Sequence, residues 1–191
     1  MKLIRNPRRR LAVLPALAGV LALGLVQPAT TQAAIPKEVD KQPTATGFGG
    51  AVASLDPYGA NAGLEILRRG GNAVDAAVGA AATLGVTRPY DGSIGGGGFM
   101  VIYSSDTGEV TTIDSREQAP AAMEPDVFLE NGQVIPFQER RVSGLSIGVP
   151  GTLRGWEYAL SEYGTMPMHR VLQPAITIAQ RGFVVDEQYQ S

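Results

Sequence analysis

Four consecutive glycines at positions 95–98 run without a break into the apolar, β-prone stretch FMVIY at 99–103. That order limits what the loop can be. A phosphate loop needs Lys-Ser/Thr directly after its glycines and a helix behind them. A dinucleotide fingerprint needs strand, glycines, then helix, with an acidic residue about 20 positions on. Neither order is met, which argues against nucleotide binding. The glycines instead supply positive φ or a close approach of backbone to backbone. Asp106-Thr107-Gly108 is a turn signal, and 110–113 resumes the strand character. The spacing predicts a β-hairpin that delivers Asp114, Ser115, Arg116 and Glu117 to its end. An arginine just past a strand, among acidic residues, can offer a planar fork to a carboxylate. The plainer reading is a surface arginine paired with Asp114 or Glu117.

The first 33 residues stand apart. Lys2, Arg5, Arg8, Arg9 and Arg10 form a basic start, 11–26 is an apolar run of 16 residues, and Thr31-Gln32-Ala33 is a small-x-small cleavage site. The run is short for a membrane span of about 20 residues, and Pro15, Gly19 and Gly24 interrupt it. We read 1–33 as a signal peptide, with either general or twin-arginine export open, and 34–46 as a flexible mature N-terminus. The product is then secreted, periplasmic or at the cell surface. Without the leader, 11 basic and 18 acidic residues remain, a net of −7, which argues against nucleic-acid binding. There is no cysteine and one histidine, His169, so neither a metal site nor a disulfide framework is expected. His169 reads as a solvated helix position, and no nucleophile elbow precedes it.

Along 47–191 the signals alternate. Residues 51–54 read as a short buried strand. Asp56-Pro57 starts a helix that Gly70-Gly71 stops. Asn72 caps a second helix from 73 to about 86, made almost wholly of Ala, Val, Gly and Leu, so buried on most sides. Asp75 in its first turn favours the positive helix end; a buried catalytic carboxylate is the sharper reading. Arg88-Pro89 ends this helix. After the hairpin, 125–130 reads as one helical turn, Asn131-Gly132 as a tight turn and 138–143 as a polar connection. Gly148-Val149-Pro150-Gly151 marks a bend. Residues 152–163 and 168–181 read as helices, the second kinked at Pro174. The pattern is an α/β layered domain.

Four stretches occur in one order: GGNAVDAA at 70–77, GGGGFM at 95–100, DSREQAP at 114–120 and GVPG at 148–151. In these the chain resembles gamma-glutamyltransferases, in the N-terminal part of their large subunit, across nearly all of 47–191. The resemblance implies an N-terminal nucleophile hydrolase fold, a four-layer αββα sandwich only partly represented here. It implies a precursor that cleaves itself and a small subunit whose N-terminal threonine is the nucleophile. No catalytic residue and no cofactor is then expected in this chain. The partners implied are a γ-glutamyl donor such as glutathione, an acceptor that is water, an amino acid or a peptide, and the small subunit of the same precursor. Arg116 takes the place of the arginine that binds the donor's α-carboxylate, and Asp114 and Glu117 are expected to orient it. Related acylases and poly-γ-glutamate-processing enzymes resemble the same regions. A secreted, non-catalytic binding domain is the alternative from another class. By itself the segment is expected to be inactive and prone to aggregate.

Overall fold

The computed structural model describes residues 44–190. All of them belong to one compact unit. The leader reading of 1–33, and most of the 34–46 segment, lie outside the described residues.

Helices α1 (Pro57–Arg68) and α2 (Ala73–Thr87) begin where their sequence signals place them. The Asp56 carboxylate accepts the Gly59 N–H at 2.7 Å, with Pro57 in the first turn. Its other oxygen accepts the Thr87 hydroxyl at 2.5 Å, tying the start of α1 to the last turn of α2. Asn72 and Asp75 form a reciprocal capping box on α2. Gly59, Ala62, Gly63 and Ile66 form the buried stripe of α1. The two helices approach closely because the contact residues are small: a methyl on Gly63 would lie 3.2 Å from the Ala76 carbonyl.

Strands β1 (Phe99–Tyr103) and β2 (Val110–Asp114) pair antiparallel, from Phe99↔Asp114 to Tyr103↔Val110. Alternation sends Met100, Ile102 and Ile113 inward against Val74, Ala159 and Tyr163. Phe99, Val101 and Tyr103 face outward, each about two-thirds exposed. A short hairpin follows, β3 (Leu129–Glu130) with β4 (Gln133–Val134). Asn131 and Gly132 both take positive φ, 53° and 77°, at its turn. After α3 (Phe137–Arg140) and a 3-10 turn at Gly144–Ser146 comes α4 (Thr152–Tyr163), ended by Gly164. Helices α5 (Met168–Val171), α6 (Gln173–Arg181) and α7 (Glu187–Gln190) complete the described residues. The core gathers Ile66, Ala76, Val78, Leu160 and Val171, with Trp156 and Met100 packed on it.

Four expectations are corrected. Residues 51–54 are not a strand, because among the described residues no neighbouring strand offers them a ladder; Val52 still packs on the core. Residues 125–128 make turns rather than a helical turn: Val127 and Leu129 donate three residues back and the chain then enters β3. The connection at 138–143 begins inside α3, which follows Pro136. The helix at 168–181 is broken, not kinked: Pro174 has no N–H to continue the α5 ladder, and sits instead in the first turn of α6.

Candidate functional site

The end of β2 is held by glycines that arrive from elsewhere in the chain. A methyl on Gly97 would lie 2.5 Å from the Ser115 carbonyl oxygen and 2.7 Å from the Glu117 nitrogen. One on Gly148 would meet Glu117 Cβ at 2.8 Å, and one on Gly155 would meet Ser115 Cβ at 2.5 Å. Gly151 likewise abuts the Ser115 carbonyl. These four positions admit no side chain without movement of the 115–118 backbone. Hydrogen bonds fix the same segment. Ser115 N–H donates to the Gly98 carbonyl at 2.9 Å, and its hydroxyl reaches the same oxygen at 3.0 Å. Gln118 and Val149 exchange both backbone bonds, at 3.3 and 2.8 Å.

From this fixed backbone the Arg116 side chain projects into solvent, 69% exposed. Its Nε lies 3.3 Å from Glu117 Oε2. The Asp114 carboxylate turns to the main chain and accepts the Arg116 N–H at 3.0 Å. The structure therefore brings all three expected residues together: Glu117 touches the guanidinium, and Asp114 holds the backbone that carries it. An exposed pair of this kind contributes little stability.

Asp75 is fully buried. It accepts from the Asn72 N–H at 2.8 Å, the Thr165 hydroxyl at 2.6 Å, the Thr165 N–H at 3.1 Å and the Met166 N–H at 3.2 Å. It joins the start of α2 to the turn after α4. His169 is exposed. No group of three potential metal ligands occurs among the described residues.

Sequence reasoning read Arg88 only as a helix end. Its guanidinium is buried and meets Asp91 at 2.6 Å, Asp186 at 2.8 Å and Gln188 at 2.5 Å, and it lies 5.1 Å from the centre of the Tyr90 ring. The Asp91 hydrogen bond raises its pKa above the usual arginine value, against the opposing effect of burial. The Thr152 hydroxyl donates to the Ser93 carbonyl at 3.1 Å. A cleft of about 450 Å³ lies between α2, the glycine run and α4. Leu84, Met100 and Trp156 line its apolar part, and Arg88, Asp91, Ser93, Ser115 and Thr152 its polar part; Arg116 does not line it.

Comparison with known proteins gives a consistent result. The gamma-glutamyltranspeptidase family matches residues 59–191. The chain is 47% identical over 153 residues to the glutathione hydrolase proenzyme of Bacillus subtilis strain 168, covering 79% of this chain and 26% of that protein. Among solved structures, it matches the gamma-glutamyltranspeptidase of Pseudomonas nitroreducens complexed with L-DON, with a TM-score of 0.71 and 46% identity over 76% of this chain and 43% of that one. The Helicobacter pylori gamma-glutamyltranspeptidase gives 0.73 and 37%, over 77% and 42%. The chain thus spans about a quarter of the length of the curated relative named here.

Proposed function

This chain belongs to the gamma-glutamyltranspeptidase family and carries part of its N-terminal nucleophile hydrolase sandwich, and from that premise we propose that it supplies the donor-carboxylate receptor of a γ-glutamyl-transferring or -hydrolysing enzyme. The donor is glutathione or a related γ-glutamyl compound, and water, an amino acid or a peptide accepts the γ-glutamyl group. The acyl group is carried on a threonine outside this chain, freed by cleavage of a precursor. Arg116 fixes the donor by its α-carboxylate and takes no part in bond breaking. Its contribution is orientation of the scissile amide.

The observation that carries this reading is the pairing of a rigid backbone with a free fork. Four glycines pin 115–118, while the Arg116 side chain stays 69% exposed beside Glu117. A receptor needs its anchor fixed and its donors open. Glu117 limits the directions the guanidinium takes, and an incoming carboxylate offers a bidentate, charge-assisted partner.

The test is steady-state kinetics on the full-length protein with a γ-glutamyl anilide donor. Arg116→Lys keeps the charge and loses the planar fork, so donor KM should rise about tenfold or more, and Arg116→Ala should raise it further. Acceptor KM should stay near the wild-type value. Equal donor kinetics for Arg116→Ala and wild type would remove the assignment.

A further inference from the structure

The glycine run is tied at both ends by hydroxyls to which the proposed reaction assigns no role. Thr152 opens α4 and is 8% exposed. A threonine at a helix start ordinarily caps its own first turn. Here the cap position belongs to Gly151, which has no side chain, and the Thr152 hydroxyl reaches 59 residues back to the Ser93 carbonyl, at 3.1 Å. The Gly151 and Thr152 N–H groups both donate to the Gly96 carbonyl, at 3.0 and 3.2 Å. The first turn of α4 thus grips the near end of the run. At the far end Ser115 holds the Gly98 carbonyl. One turn into α4, the bare backbone of Gly155 bears directly on Ser115. Run, helix start and Ser115 form a closed triangle, and Arg116 is the next residue out.

We propose that Thr152 is a positioning residue for donor binding: its hydroxyl locks the 93–98 loop to α4 and so sets where the Arg116 fork comes to rest. The inference rests on the reading of Arg116 as the carboxylate receptor. Bidentate recognition tolerates little displacement, because two parallel N–H···O bonds must be aligned at once for the donor carboxylate to bind. Thr152→Val keeps the shape and removes the donor, leaving the partly buried Ser93 carbonyl without the hydroxyl it accepts from. The loop then loses its side-chain tie to α4 and keeps the Gly151 and Thr152 backbone bonds to the Gly96 carbonyl.

The test uses the full-length protein and the same anilide donor. Thr152→Val should raise donor KM about tenfold with kcat within about twofold, and Thr152→Ser, which keeps the hydroxyl, should restore the wild-type KM. In an Arg116→Lys background Thr152→Val should add less than about twofold, because the fork it positions is already gone. Where Thr152→Val does not yield folded protein, Thr152→Ala is measured in the same way. An unchanged donor KM, a loss confined to kcat, failure of Thr152→Ser to restore KM, or full additivity with Arg116→Lys overturns the inference. If Arg116→Lys shifts donor KM and the Thr152 variants do not, only this inference falls. If Arg116→Lys itself leaves donor KM unchanged, the carboxylate reading falls and this inference with it.

Discussion

Asp75 and Arg116 are both charged residues near the ends of regular elements, and their surroundings give them opposite work. Arg116 keeps its guanidinium in solvent and spends only a side contact on Glu117. Asp75 is sealed, and its partners are all donors: three backbone N–H groups and one hydroxyl. A methyl on the adjoining Gly164 would sit 2.8 Å from its Oδ1, so that corner has no spare room. Asp75→Asn turns an NH₂ group against donors it cannot satisfy and removes the charge that strengthens those bonds. The expected loss is about 3 kcal/mol of stability, on the scale of charge-assisted hydrogen bonds and an unsatisfied buried donor. Denaturant unfolding of the full-length protein measures it, and a loss below about 0.5 kcal/mol would contradict the hub role. The capping part of this was legible in the sequence, since Asn72 and Asp75 are a local signal. The bonds to Thr165 and Met166 were not, because they close 90 and 91 residues later.

At the scale of elements, what the sequence revealed was whatever local chemistry decides. Asp56-Pro57 and Asn72 start helices, and Gly164 and Gly182 end them, through groups a few residues away. The β1–β2 register follows from alternation around a three-residue turn signal. The 51–54 expectation failed because a strand is a relation to a neighbour, which composition does not supply. Arg88 shows the same limit: its partners Asp186 and Gln188 lie 98 and 100 positions on. Those contacts staple α7 to the end of α2. Tyr58, Phe183, Tyr189 and Tyr90 continue the staple as a chain of edge-to-face rings, with centroids 5.7 to 6.0 Å apart. Arg88→Ala leaves the Asp91 and Asp186 carboxylates without this cation. We expect a cost of about 3 kcal/mol and, more specifically, release of the 183–190 segment. Hydrogen exchange should quicken in peptides from 183–190 while those from α1 keep their protection. Unchanged exchange at 183–190 would show that the ring contacts hold the segment without the ion pairs.

The described residues as a whole leave one face of the hairpin unfinished. Met100, Ile102 and Ile113 are covered by α2 and α4, but Phe99, Val101, Tyr103 and Val110 stand about two-thirds exposed on the other side. Among the described residues β1 and β2 pair only with each other, so each also has a bare edge. Apolar face and open edge together are the features that draw a second layer or a second chain. The chain covers 26% of the Bacillus subtilis relative and less than half of either matched structure, so the covering layer has ample sequence to come from elsewhere in a longer protein. The resemblance made this legible in outline: a four-layer sandwich of which only part is here. Which residues face the missing layer follows only from the pairing of β1 with β2. Residues 47–191 expressed alone should therefore self-associate, bind an apolar-surface dye and show no turnover of a γ-glutamyl anilide, whereas the full-length protein should elute as a discrete species and bind little dye. Phe99→Lys with Val101→Lys should reduce association of the isolated segment by charging the open face. A monodisperse, dye-negative segment with cooperative unfolding would mean that this face is satisfied without a second layer, and the partial-sandwich account of the hairpin would have to be abandoned.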